Sequence, residues 1–129
     1  MKKNFLIVIA NYYEDIAKGL LSSALELIPK SSKVKIISVP GVFEIPVTIS
    51  KYIKRYDAFL ALGCVIKGET PHFDFISQAS TNAIMDLSIA NKKPIGNGII
   101  TCLNMKQARA RKKKGGEATK AVISILSQK

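Results

Sequence analysis

The chain has 129 residues, 47% of them hydrophobic and 22% charged, and it carries a formal net charge of +11. That length accommodates one domain with a core of its own, and the balance of apolar to charged residues excludes a natively disordered chain. No apolar run approaches the ~20 residues of a membrane-spanning helix.

Residues 5–10 are a short continuous apolar run, the pattern of a strand buried on both faces. Met1-Lys2-Lys3 ahead of that run has the outline of a signal peptide, but no small-residue cleavage site follows. Asn11-Tyr12-Tyr13-Glu14-Asp15 reads instead as a turn and a helix start, and a cytoplasmic location is expected. Residues 14–28 have helical period, with Ile16, Leu20, Leu21, Ala24, Leu27 and Ile28 on one face, and Pro29 stops that helix.

A β-branched strand over 34–39 leads into a Pro40-Gly41 loop. A short helix is predicted from Pro46, a good first-turn residue, to about Lys54. A third buried strand covers 58–64, followed by a loop over 65–71. The long helix over 72–91 turns Ile76, Ala79, Ala83, Leu87 and Ala90 inward. Residues 95–102 contain a fourth strand, weakened at its start by Gly96 and Gly98. Asn104 can cap a short helix to about Lys112, Gly115-Gly116 breaks the chain, and 117–127 form the last helix.

Strands alternating with helices predict an α/β fold with a parallel sheet covered on both faces. Without linkers or repeats, residues 1–129 read as a single domain. In such sheets ligands sit beyond the carboxyl ends of the strands. The loops after Ala10, Val39, Cys64 and Cys102 are therefore the candidate site.

In the third of these, Gly68 allows close backbone approach, and Thr70 can cap the next helix with Pro71 at its first position. Free N–H groups at a helix start attract anions. His72, the only histidine, stands at the mouth of that site. It is either an exposed cap-region residue or a proton carrier, since imidazole titrates near neutral pH. Phe43 beside Glu44 could stack on a flat heterocycle and accept its hydrogen bonds, although either residue alone has a structural explanation. Tyr12 and Tyr13 could form another stacking wall.

Cys64 and Cys102 lie in strand-like apolar segments without metal-ligand spacing and read as buried reduced thiols. The positive charge is spread along the chain, with one concentration between residues 109 and 114. It suits a solvated surface or an anionic small molecule, and no nucleic-acid motif accompanies it.

Two segments are specific: Gly41-Val42-Phe43-Glu44-Ile45-Pro46, and Leu62-Gly63-Cys64-Val65-Ile66-Lys67-Gly68-Glu69-Thr70-Pro71-His72-Phe73-Asp74. With Thr101, Gln107-Ala108, Arg111 and Lys114-Gly115-Gly116-Glu117-Ala118, they make the chain resemble the lumazine synthase family over almost its whole length. The resemblance implies a flavodoxin-like three-layer α/β/α sandwich around a four-stranded parallel sheet. It implies homo-oligomers, either pentamers or pentamer-based 60-mers, with active sites between neighbouring subunits. Riboflavin synthase is an implied partner; no metal, organic cofactor, nucleic acid or membrane is implied.

The implied reaction condenses 5-amino-6-(D-ribitylamino)uracil with 3,4-dihydroxy-2-butanone 4-phosphate, giving 6,7-dimethyl-8-ribityllumazine, phosphate and water in riboflavin biosynthesis. By resemblance, Tyr12 stacks on the pyrimidine, and Phe43 and Glu44 hold the ribityl-pyrimidine. Val65, Ile66 and Lys67 line the other edge. Gly68, Glu69 and Thr70 receive the phosphate, and His72 transfers protons. Arg111 binds phosphate from the adjacent subunit, with Lys114 and Glu117 as flanking polar residues.

Five departures from the family pattern stand out, one of them Lys113 where an asparagine is usual. Asn97 replaces an aromatic that stacks on the pyrimidine from the neighbour. Cys102 replaces the second threonine of a pair. The stretch from Arg111 to Glu117 is short, and the amino terminus begins almost at the first core strand. Asn97 and the short segment keep a non-catalytic flavin or lumazine binder open; the family's cages, which can enclose cargo, keep a purely structural shell protein open; and the charge alone keeps nucleic-acid binding open.

Overall fold

The computed structural model describes residues 1–129. Four strands, β1 Asn4–Ala10, β2 Lys33–Val39, β3 Ala58–Ile66 and β4 Ile95–Cys102, form an all-parallel sheet in the order β2-β1-β3-β4. The two apolar runs take the inner places. β1 is buried from Phe5 through Ala10, and β3 from Ala58 through Val65. A strand with neighbours on both edges and helices on both faces must be apolar throughout. Lys33 and Lys35 mark β2 as an edge strand, and that strand is buried only at Val39.

The period-two alternation divides the core. Phe5, Ile7, Leu60 and Leu62 meet helices α1 Glu14–Leu27, α4 Met105–Ala110 and α5 Lys114–Leu126 on one face. Leu6, Val8, Phe59 and Ala61 meet α2 Ile45–Tyr52 and α3 His72–Asn91 on the other. Each fully buried aliphatic side chain contributes about 1.5–3 kcal/mol, so these two clusters fix the layers. The result is the expected α/β/α sandwich of flavodoxin type. Because β2 and β3 lie on opposite sides of β1, the strand order reverses at β1, and a crevice opens there above the carboxyl ends.

Several local expectations shift. β4 occupies Ile95–Cys102 as expected, and Gly96 and Gly98 do not weaken its start. A Cβ at Gly96 would lie 2.7 Å from Leu60 Cδ2, and one at Gly98 would lie 2.5 Å from Leu62 Cδ2. The glycines let α5 rest directly on the sheet.

Gly115-Gly116 does not break the chain either. Both are buried in the first turn of α5, which starts at Lys114 rather than Glu117. A Cβ at Gly115 would overlap the Leu20 carbonyl of α1. Helix propensity is low for glycine, but close helix packing overrides it here.

The inner face of α3 is Phe73, Ile76, Ser80, Ile84 and Leu87, whereas Ala79 and Ala90 are exposed. Ser80 can be buried because its hydroxyl donates to the Ile76 carbonyl at 2.7 Å. In α1, Leu27 of the expected inner face is 40% exposed. The helix ends as foreseen, with Ile28 extended ahead of Pro29. Phe43 and Glu44 belong to a 3₁₀ turn, Val42–Glu44, that leads straight into α2.

Candidate functional site

The crevice at the strand reversal is a cavity of about 630 Å³. Tyr12 and Tyr13, immediately after β1, form one wall. Their rings meet edge to face, with centroids 4.9 Å apart. The 3₁₀ turn after β2 supplies Phe43 and Glu44; Val65 and Ile66 come from the end of β3, and His72 opens α3. Phe43 is 65% and Tyr12 75% exposed. Leaving two aromatic faces in water has no folding benefit, and a flat ligand would cover both.

The turn holds its shape through the Glu44 N–H, which donates to the Gly41 carbonyl at 3.1 Å. The Thr48 hydroxyl then donates to the Glu44 carbonyl at 2.8 Å. The Glu44 side chain curls back over Gly41, where a Cβ would stand 3.1 Å from Oε1.

Cys64 also lines this cavity. Burial and the adjacent Cys102 thiol push the Cys64 thiol up to about 12. It is therefore protonated near neutral pH and is not a nucleophile. Both cysteines are free and buried, as read from the sequence. Burial also raises Tyr13, followed by repulsion from Cys64 and Tyr12.

The loop between β3 and α3 leaves the sheet with the Lys67 N–H donating to the Cys102 carbonyl at 2.9 Å. Lys67, Gly68, Glu69 and Thr70 are exposed and line neither of the clefts described here. The predicted Thr70 cap is displaced. Helix α3 starts at His72 with Pro71 at the capping position, and Thr70 Oγ1 only accepts a long 3.4 Å bond from the His72 N–H. Thr70 thereby braces the first residue of the helix.

The remaining site residues lie elsewhere. Asn97, Arg111, Lys114 and Glu117 line a second cleft of about 780 Å³ on β4, at the junction of α4 and α5. The two clefts share no lining residue. β4 makes this possible by burying its even-numbered residues under α5 while leaving Asn97 and Thr101 exposed.

Arg111 Nη1 lies 3.5 Å from the Thr101 carbonyl, so most of its guanidinium is free. Lys114 pairs loosely with Glu117 at 4.0 Å. Asn97 turns its Oδ1 back to accept from the Ile99 N–H at 3.1 Å. Sequence reasoning did not assign Val42, Cys64 and Ile76 to the first cleft, or Thr101 and Lys113 to the second. The first three look like core positions, and only tertiary placement exposes one side of each to the cavity.

The family profile described as 6,7-dimethyl-8-ribityllumazine synthase matches residues 2–129. The chain belongs to that family. It is similar to 6,7-dimethyl-8-ribityllumazine synthase 1 of Rhodopseudomonas palustris, with 45% identity over 94% of this chain and 82% of the relative. The synthase of Methylorubrum extorquens is 43% identical over 96% of this chain and 79% of its own. That of Agrobacterium fabrum is 42% identical over 99% and 95%. Parts of both specific motifs line the first cleft, while residues around Arg111 line the second.

Proposed function

We infer that the protein is a 6,7-dimethyl-8-ribityllumazine synthase, a transferase of riboflavin biosynthesis. It condenses 5-amino-6-(D-ribitylamino)uracil with 3,4-dihydroxy-2-butanone 4-phosphate. The supporting observation is the crevice at the strand reversal, where Tyr12, Phe43, Glu44 and His72 surround a space open to a flat polar heterocycle. The pyrimidine stacks against the exposed aromatics, with Glu44 accepting its N–H and hydroxyl donors. Val65 and Ile66 border its other edge, with Lys67 at the start of the exposed loop beyond them.

The substrate amine attacks the ketone, and loss of water gives an imine. Phosphate then leaves, the resulting enol tautomerises to a ketone, and the ribitylamino nitrogen attacks that ketone and loses a second water to close the ring. The amine is already nucleophilic, so holding both substrates in register supplies much of the acceleration. His72 moves protons at the imine and enol stages, an effect worth ~10²–10⁴-fold. The phosphate sits on the backbone of Gly68, Glu69 and Thr70 and is met by the Arg111 guanidinium, with Lys114 and Glu117 beside it.

The same reading makes the protein a homo-oligomer, either a pentamer or a 60-mer built of pentamers. The separation of the first cleft from the one holding Asn97 and Arg111 supports a site completed by a second copy. A location in the cytoplasm and an association with riboflavin synthase accompany this reading. No helix is long and apolar enough to cross a membrane.

The test is a direct assay: purified protein with both substrates, product followed by lumazine fluorescence, and the spontaneous rate subtracted. A protein-dependent rate, with the keto-phosphate KM raised in Arg111→Ala, is expected. A rate equal to background from folded protein would leave a ligand-binding or shell role in its place.

A further inference from the structure

Arg111 stands at the start of a short connector, residues 111–113, that joins α4 to α5. Its own helix holds it weakly: the Arg111 N–H reaches the Ala108 carbonyl at 3.1 Å, at the end of a six-residue helix. A connector this short could pivot about the α4 junction, and a guanidinium at its base would swing with it.

The Lys114 N–H ties the connector to α5 through the Arg111 carbonyl at 3.0 Å, and one side chain of α1 adds a tether from outside. The Ser23 hydroxyl donates to the Lys112 carbonyl at 2.8 Å and accepts from the Gly116 N–H at 3.1 Å, with the Leu20 carbonyl of its own helix also 3.1 Å away. Ser23 thus grips the connector on one side and the first turn of α5 on the other. Lys112 reinforces the grip by laying its aliphatic stem over Gly19 and bringing Nζ to 3.7 Å from Asp15. The ion pair is exposed and adds little, so the hydroxyl carries the tether.

We propose that Ser23 is a positioning residue for phosphate recognition, fixing the connector so that Arg111 and Lys114 face the second cleft in a set geometry. This rests on Arg111 binding the substrate phosphate. Ser23 touches no substrate and acts only through the backbone it holds. A charge-assisted contact to phosphate is steeply sensitive to such placement. Losing the tether should therefore register in the keto-phosphate KM and leave the pyrimidine KM unchanged.

The experiment compares wild type, Ser23→Ala, Arg111→Ala and the double variant, with both KM values, kcat and the unfolding midpoint measured for each. Loss of one such hydrogen bond corresponds to a factor of about 2 to 10. Ser23→Ala should raise the keto-phosphate KM by about that factor and leave the pyrimidine KM as it is. In the Arg111→Ala background the same change should have a much smaller effect on KM, because only Lys114 is left for it to position. Ser23→Thr, which keeps the hydroxyl, should recover the wild-type KM. Should Ser23→Ala fail to fold, Ser23→Cys, with a weaker donor in similar volume, is read by the same criteria.

An unchanged keto-phosphate KM in Ser23→Ala overturns the proposal, as do equal rises in both KM values or a full effect persisting in the double variant. If Arg111→Ala itself leaves the keto-phosphate KM at the wild-type value, the phosphate role of Arg111 fails first, and the positioning role goes with it.

Discussion

Replacing Gly115 with alanine should destabilise the protein, although the site is helical and alanine is the better helix former. In an open helix the change gains about 1 kcal/mol. Here the new methyl would stand 2.7 Å from Ser23 Oγ and 2.8 Å from the Leu20 carbonyl carbon, overlapping the carbonyl oxygen itself. Two of those atoms are backbone, so no side-chain rotation relieves the clash, and α5 must withdraw from α1. Overpacking of this kind costs about 1–3 kcal/mol. Withdrawal also stretches the bond from the Thr119 hydroxyl to the Ala24 carbonyl, 2.9 Å long, and the one from the Gly116 N–H to Ser23. Those bonds add about 1–2 kcal/mol to the cost. After the propensity gain, the net loss is about 1–4 kcal/mol, or a fall of roughly 3–20 °C in Tm for a chain of this size.

Urea unfolding followed by far-ultraviolet circular dichroism, at fixed protein concentration, measures this loss. Gly68→Ala is the control. Nothing lies within 4 Å of a Cβ there, and no glycine in the chain has positive φ, so its stability should stay within about 0.5 kcal/mol of wild type. A Gly115→Ala protein as stable as wild type, or more so, would refute the packing argument.

Three further outcomes are expected. Phe43→Ala removes an exposed ring, so it should leave Tm unchanged while weakening the pyrimidine by about 5- to 100-fold in titration; unaltered affinity would remove Phe43 from the site. His72→Ala should fold normally and retain a slow, measurable turnover, reduced by ~10²–10⁴-fold, and a rate near wild type would end its proton-transfer role. Stability should decline in alkali. The Cys64 thiol is held protonated up to about 12 in the fold, and Tyr13 is shifted in the same direction. The unfolded thiol ionises earlier, so stability is full below its ordinary value and is lost as pH rises toward the folded one. Urea midpoints taken either side of that ordinary value should fall with pH, less so in Cys64→Ala; equal slopes in the two proteins would contradict the assignment.

The sheet was legible in the sequence because β1 and β3 sit inside it and need unbroken apolar runs. Residues 5–10 and 58–64 have no other economical explanation. The phase of α3 was not legible. Hydropathy prefers alanine to serine for burial, yet Ser80 is inside because its hydroxyl bonds to its own helix, and Ala79 is outside. Gly115 and Gly116 read as a break because local propensity says so, and only the approach of α1 explains a helix there. In β4 the glycines made a correctly placed strand look weak at its start, and the approach of α5 explains them.

For the site, the loop rule located Tyr12, Phe43, Glu44 and His72, which the fold brings to one cavity. Periodicity could not separate them from Asn97, Arg111, Lys114 and Glu117, which the fold assigns to another. That division depends on β4 being an edge strand with one face only partly covered, a property of strand order rather than of any residue. Ser23 was equally invisible, since a serine within an amphipathic helix gives no hint of a partner on the far side of the chain.

The proposed sharing of one active site between two copies can be measured by complementation. Phe43→Ala/His72→Ala chains, damaged only in the first cleft, are co-refolded with Arg111→Ala chains, damaged only in the second. If one copy's first cleft works with the next copy's Arg111, mixed assemblies contain some sites with every residue intact, and turnover rises well above that of either variant alone. If turnover of the mixture merely equals the average of the two separate variants while mixed assemblies are present, the two clefts do not work across copies, and the shared site is wrong.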